Sequence, residues 1–394
     1  MTSQVIITLC VLLLIAYIFD ISASKTRVPS VVMLLLLGYV LQHLAVMFEV
    51  ILPDMEGVLP VLGTLGLVLI VLEGSLELEL NSSQFSFVRK TLISAAIPFF
   101  ILSFLLAFVL VWLDGIPLKS AFTNVVPLAI ISSAIAIPSA QSLDQKSREF
   151  IIYESSLSDI IGVIVFNFVA LNAIIDGGAI FNFSFQLIIM LVITLLATAL
   201  LAFLMGKINH HIKFGPIILI IILIYSLSKI FHLPALVFIL LFGLFLRNFD
   251  EINNWKPLSF LDPKILIQEV TKLKELTSEA AFLVRTLFFL LFGFLINTDE
   301  LFNLDTLPLA SGIVLVILLV RWGILLLLRM PLLPILYIAP RGLITILLFL
   351  SIPIAETTSS VNKSLIIQVI ILSAFIMMMG MLFYKPVKAK PTAL

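Results

Sequence analysis

Tyr153-Glu-Ser-Ser-Leu-Ser-Asp-Ile-Ile-Gly-Val-Ile-Val-Phe166 is the stretch on which the reading of this chain turns. It continues as an apolar helix, and Asp159 lies well inside it. A carboxylate at membrane depth costs at least ~2.5–3.5 kcal/mol on insertion scales, so such residues mark ion and proton paths. The rest of the chain places this helix in a membrane. It is 61% hydrophobic over 394 residues, with mean hydropathy +1.24. No soluble domain of that length needs so much apolar surface. The expected fold class is an all-α polytopic membrane protein.

Composition removes several function classes. The formal net charge is zero, which gives no case for a nucleic-acid partner. The single Cys10 excludes a disulfide framework. His43, His210, His211 and His232 have no metal-ligand spacing. No phosphate-binding Gly-x-x-x-x-Gly-Lys-[Ser/Thr] loop occurs, and no hydrolase signature. No cofactor is expected, no metal beyond a transported cation, and no enzymatic activity.

Apolar runs of about 17–25 residues between charged or Pro/Gly breaks give thirteen candidate transmembrane spans. They lie near 4–20, 29–49, 58–76, 88–113, 119–142, 151–172, 181–206, 214–229, 234–249, 280–297, 307–329, 331–353 and 362–384. Pro29, Pro234 and Pro331 open spans, where a missing N–H costs nothing. With the N-terminus outside and the C-terminus cytoplasmic, seventeen Lys and Arg fall in cytoplasmic segments. Only Lys119, Lys229 and Lys363 fall outside, and Arg285, Arg321 and Arg341 fall within spans. Positive charge inside is the rule that orients membrane proteins. Residues 250–279 form the one long polar stretch, and a cytoplasmic interfacial helix is expected near 262–277.

The chain also repeats itself. Pro29-Ser-Val-Val-Met-Leu-Leu-Leu-Leu-Gly38 and Pro234-Ala-Leu-Val-Phe-Ile-Leu-Leu-Phe-Gly243 share Pro and Gly nine apart. Leu72-Glu-Gly-Ser-Leu76 pairs loosely with Leu291-Phe-Gly-Phe-Leu295. Spans five and twelve each carry an interior proline, Pro138 and Pro340. Equivalent spans are seven apart, an odd number, so the second copy is inverted. Residues 1–180 form the first six-helix repeat, 181–206 a linker helix, and 207–394 the second repeat. Inverted repeats with broken helices at matching positions characterise secondary transporters, with the site at the midplane.

On these residues the chain resembles the monovalent cation:proton antiporter superfamily over nearly its whole length. Glu154-Ser-Ser-Leu-Ser-Asp159 is similar to the Glu-Ser-x-Leu-Asn-Asp of the sodium/proton exchanger branch. There the last Asp binds cation and proton in turn. Pro29 to Gly38 and Gly66 to Leu78 look like its second and third spans, apart from an extra Glu73. Phe288-Phe-Leu-Leu-Phe-Gly-Phe-Leu-Ile296 and Arg341-Gly342 match its later motifs. Ile131-Ser-Ser-Ala-Ile-Ala-Ile137 is similar to the first broken helix of the potassium-efflux branch. Two departures stand out. Ser158 replaces the usual Asn, and the first broken helix has no Asp-Pro.

The resemblance implies two broken crossing helices, a core of spans four to six and eleven to thirteen, and a scaffold that makes a homodimer. It implies Na⁺, K⁺ or Li⁺ and H⁺ as substrates, and an integral protein of a prokaryotic inner membrane. Asp159 lies eight residues into span six, or ~12 Å along the axis. Burial there favours its neutral form and a cation its charged form, so proton and cation compete for it. Ser158, Ser155, Ser132 and Ser133 offer oxygens nearby. Glu154 is about 140° around the helix from Asp159. It is expected to pair with Arg321 or Arg341 and fix the helix. Glu73 is a possible cavity residue. Pro138 and Pro340 are expected to break their helices and free carbonyls for an ion. The function expected is electroneutral antiport of a monovalent cation against H⁺. A regulated monovalent cation channel and an organic-anion transporter on a related fold are the alternatives.

Overall fold

The computed structural model describes residues 2–26, 28–48, 57–78, 85–141, 143–172, 174–207, 214–231, 233–248 and 263–384. The loops at 208–213 and 249–262 and the tail 385–394, whose lysines weigh in the expected orientation, lie outside them. So does the start of the expected interfacial helix.

Among the described residues every regular element is helical. The helices are α1 Thr2–Thr26, α2 Ser30–Met47, α3 Val58–Glu77, α4 Phe85–Asp114, α5 Leu118–Ala129, α6 Ser133–Ala140 and α7 Gln145–Leu171. They continue as α8 Gly177–Lys207, α9 Phe214–Ile230, α10 Ala235–Arg247, α11 Pro263–Phe294, α12 Thr298–Leu301, α13 Leu307–Leu327, α14 Leu343–Leu350 and α15 Lys363–Phe383. Eight of the described spans are long and apolar enough to cross a bilayer on their own, counting α5 and α6 together. Every backbone donor and acceptor must be satisfied internally in lipid, which is why helices carry the crossing. Leu36, Phe104, Phe108, Phe181 and Leu196 are exposed on outer helix faces, as expected where the solvent is hydrocarbon. The chain is a polytopic membrane protein.

The paired glycines of the repeat both sit at close helix crossings. A Cβ on Gly38 of α2 would strike Leu290 O and Phe294 N of α11, and a Cβ on Gly293 would strike Leu35 O. A Cβ on Gly243 of α10 would strike Ser75 of α3. Span two thus crosses span ten backbone against backbone, whereas span nine meets span three chiefly through the Ser75 side chain. Only glycine lets the backbones approach so far, the usual device for helix packing in lipid.

Three expectations change. The first broken span does not break at Pro138, which lies inside α6. The break is Ile130 to Ser132, where the backbone is extended at Ile130 and Ser132. Ser132 N–H donates to Pro340 O at 2.9 Å, so a distant carbonyl replaces the helical acceptor. Second, the span at 331–353 is broken around Pro340 as expected, but it does not begin as a helix. Pro331 opens no α-helix; a 3₁₀ turn, Ile335–Tyr337, precedes an irregular stretch containing Pro340, and then α14. Third, the polar run near 262–277 is no separate interfacial helix. It is the first half of α11, which runs unbroken to Phe294 and places Arg285 mid-helix rather than at a span start.

The two broken spans are tied again at their far ends. Glu356, in the 3₁₀ turn after α14, pairs with Lys119 of α5. It also accepts from Thr123 Oγ1 at 2.7 Å, and its carbonyl accepts from Asn124 Nδ2 at 2.6 Å.

Candidate functional site

A helix that breaks inside a membrane leaves carbonyls free on one side and N–H groups on the other. Here the two needs are met by opposite charges. Arg341, 1% exposed, lies against the C-terminal end of α5. Its Nε donates to Leu128 O at 2.8 Å and its Nη2 to Ala129 O at 3.2 Å, while Nη1 donates to Ala339 O at 2.7 Å. A cation is favoured at a helix C-terminus. Asp159, 4% exposed, serves the N-terminus of α6: its Oδ2 accepts from Ser133 N–H at 3.2 Å. An anion is favoured there.

The second oxygen, Asp159 Oδ1, is buried and has no hydrogen-bond partner. It borders a small cavity of about 10 Å³, walled by Ile70, Val71, Gly74, Ser75, Ser133, Ser156 and Ile160. A second space of about 10 Å³ touches Asp159 from the side of Val163, Ile164 and Leu240 and is apolar. Ile70, Gly74 and Ser133 also wall a wide cavity of about 520 Å³ between α1, α3 and α11 on one side and α6 and α7 on the other. Glu73, Glu77, Arg148 and Arg285 line it, which puts the half-buried Glu73 in the wall of an approach to Asp159.

The serines divide. Ser158 Oγ accepts from Ile131 N–H at 2.9 Å and so holds the break in place. Ser155 donates to Ile151 O at 2.7 Å, within its own helix, the common fate of a helical serine. Ser132 Oγ is buried without a partner, beside Gly342. Ser133 donates its backbone N–H to Asp159, and its side chain also faces that carboxylate. Ser156, which sequence reasoning passed over, is buried with an unpartnered hydroxyl in the cavity of Asp159. Its spacing of three from Asp159 was the signal available, since residues three apart share a helix face.

Glu154 lies apart from that cavity. Arg321 of α13 grips it with both terminal nitrogens, Nη1 to Oε1 at 3.0 Å and Nη2 to Oε2 at 2.6 Å. Ser94 of α4 donates a further hydrogen bond to Oε1. Arg321 Nε reaches Ile335 O at 3.0 Å. The cluster joins α4, α7 and α13 to the turn before the second break. Arg341 makes no hydrogen bond or ion pair with Glu154.

Residues 10–383 match the family described as the transmembrane sodium/hydrogen exchanger. The chain belongs to the sodium/hydrogen exchanger family. Two solved structures share the exchanger fold along almost the full chain. The sodium proton antiporter MjNhaP1 from Methanocaldococcus jannaschii at pH 8 superposes with TM-score 0.66 at 16% identity, covering 97% of this chain and 96% of that one. The electron-microscopy map of MjNhaP1 gives TM-score 0.67 at 18% identity, covering 98% of this chain and 100% of that one. Among curated proteins, none matches the sequence. The resemblance read from the sequence therefore holds at the level of the family, and its fold at the level of these structures.

Proposed function

We propose that this chain is a secondary antiporter exchanging a monovalent cation, Na⁺ or K⁺, for H⁺, with Asp159 as the shared site. One observation carries the reading: a buried carboxylate held by one oxygen on a helix N-terminus, with its other oxygen unpartnered at a cavity. An uncompensated buried charge is costly. The group is stable with a proton on it or with a cation beside it. The two states exclude each other, and that exclusion is exchange.

The chain's residues divide the work. Asp159 holds the proton or faces the cation. Ser133 N–H fixes one of its oxygens, and Ser158 and Arg341 hold the break that presents Ser133. Ser132 supplies a further oxygen beside the break. Glu154 and Arg321 join the helices of the core. The core of α4 to α7 and α13 to α15 moves against the remaining helices, which act as scaffold and homodimer contact. The wide cavity is the approach from one side, and Glu73 and Glu77 draw cations into it. With the excess of Lys and Arg placed inside, that side is the cytoplasm, the N-terminus is outside, and the membrane is a prokaryotic plasma membrane. Exchange is one cation for one proton.

The test is proton-coupled flux in vesicles reconstituted with the pure protein, challenged in turn with Na⁺, Li⁺, K⁺ and Rb⁺. The reading expects saturable, cation-driven collapse of a pH gradient for at least one of them. Cation flux that does not saturate and needs no counter-moving proton overturns it in favour of a channel.

A further inference from the structure

Ser156 sits three residues before Asp159 on α7, side by side with it on one face. Its hydroxyl is buried, has no hydrogen-bond partner, and lines the same cavity as Asp159 and Ser133. Leaving a buried polar group unpaired typically costs about 1–3 kcal/mol, and an unsatisfied group beside a cavity calls for an occupant. The opposing helix is cut back at this point. Gly74 of α3 faces the hydroxyl, and a Cβ there would stand 3.2 Å from Ser156 Oγ. Two neighbouring serines are committed elsewhere, Ser155 to Ile151 O and Ser158 to Ile131 N–H. Ser132 Oγ, also unpartnered, is not in the wall of this cavity.

We propose that the Ser156 hydroxyl is a direct ligand of the transported monovalent cation. The inference rests on the reading of Asp159 as the exchange site. Asp159 Oδ1 supplies the charge and Ser156 Oγ a neutral oxygen, in a chain that has neither an Asn before the key Asp nor an Asp in the first break. In the proton-loaded form the same hydroxyl donates to the free carboxyl oxygen or accepts from its O–H. It is thus satisfied in both states and adds no charge to either.

Initial exchange rates in vesicles, measured against Na⁺ and separately against K⁺, test it. Ser156→Ala should raise KM for the transported ion roughly tenfold, the size of one lost hydrogen-bond-strength contact to a charge, and lower kcat less than that. Ser156→Thr, which keeps the oxygen, should keep the low KM. Gly74→Ala crowds the hydroxyl and should raise KM in the native background but add little to Ser156→Ala, the mark of one shared interaction. The proposal is overturned if Ser156→Ala keeps the native KM while Asp159→Asn is inactive. It is overturned equally if Ser155→Ala raises KM more than Ser156→Ala does. If Asp159→Asn itself still exchanges, the reading of Asp159 fails, and with it the ground for this one.

Discussion

Glu154 and Asp159 are both buried carboxylates on α7, 1% and 4% exposed, yet they meet different surroundings. Five residues turn a helix through about 500°, so the two face directions some 140° apart. Glu154 faces α4 and α13, where Arg321 donates to both its oxygens and Ser94 adds a third donor. Asp159 faces the first break and α3, where one oxygen has the Ser133 N–H and the other has nothing. The difference separates a joint from a site. A carboxylate with a full set of donors has its charge fixed by its neighbours, and changing it breaks the structure. A carboxylate half supplied takes its remaining partner from whatever enters the cavity.

The comparison breaks most readily at Asp159. Asp159→Asn should abolish exchange, because an amide neither ionises nor carries the proton. The fold should survive, since the amide oxygen still accepts from Ser133 N–H. Vesicles holding this variant are expected to keep an imposed pH gradient when cation is added, while its melting temperature in detergent stays near that of the native protein. Collapse of the gradient at the native rate would end the claim.

At Glu154 the expected loss is of stability. Glu154→Ala leaves the Arg321 guanidinium buried without its carboxylate, and breaking such a pair typically costs about 3–5 kcal/mol. Thermal melting of the purified variant should show a large drop. The ratio of KM for Na⁺ to KM for K⁺ in whatever protein remains folded should be close to native. An unchanged melting temperature with a changed ion preference would exchange the roles assigned to the two carboxylates.

Arg341→Lys sharpens the contrast with a smaller effect. The guanidinium spans Leu128 O, Ala129 O and Ala339 O at once. An ammonium keeps the charge but not the planar fork. Losing one of these charged hydrogen bonds should cost about 1.5–3 kcal/mol, less than stranding Arg321. Thermal melting against Glu154→Ala gives the ranking directly, and a drop as large as that of Glu154→Ala would show that the break, not the Glu154 joint, bears the core.

What the sequence could show follows from the range of each interaction. Apolar runs report whole membrane helices, and a carboxylate inside one reports its own anomaly, so the crossing order and Asp159 were both legible. The position of the first break was not. Pro138 is the local helix breaker, but neighbouring helices can re-satisfy the groups a proline frees in a membrane helix. The break falls instead at Ile130 to Ser132, where Ile131 N–H has Ser158 Oγ and Ser132 N–H has Pro340 O as acceptors. Those acceptors arrive only with tertiary packing. The choice of Arg321 over Arg341 as partner of Glu154 was hidden for the same reason, since it depends on which face of α13 meets α7. The polar run in the first half of α11 misled because its mixed charges at helical spacing fit an interfacial helix and an extension of a span equally well.

The smallest expected effect is no effect, and it tests the charge arithmetic of the comparison. If Glu154 is held by Arg321 through the whole cycle, the pair contributes no net charge to the moving core, and Arg341 contributes the same charge in every state. Asp159 is then the group that changes. It travels neutral with its proton and neutral with a monovalent cation beside it, so the two half-cycles move equal charge and exchange is one for one. A membrane potential does no net work on such a cycle, whereas each net charge moved would feel about 2.3 kcal/mol per 100 mV. The measurement is the steady-state proton gradient in vesicles clamped with valinomycin at several potentials, with Na⁺ or Li⁺ as the exchanged ion. The gradient should not depend on voltage. A shift would mean that a second carboxylate titrates in the cycle. Glu73, in the wall of the approach to Asp159, is the one to replace first: if Glu73→Gln restores voltage independence, the second proton travels there, and if it does not, Glu154 is not the fixed partner the comparison makes it.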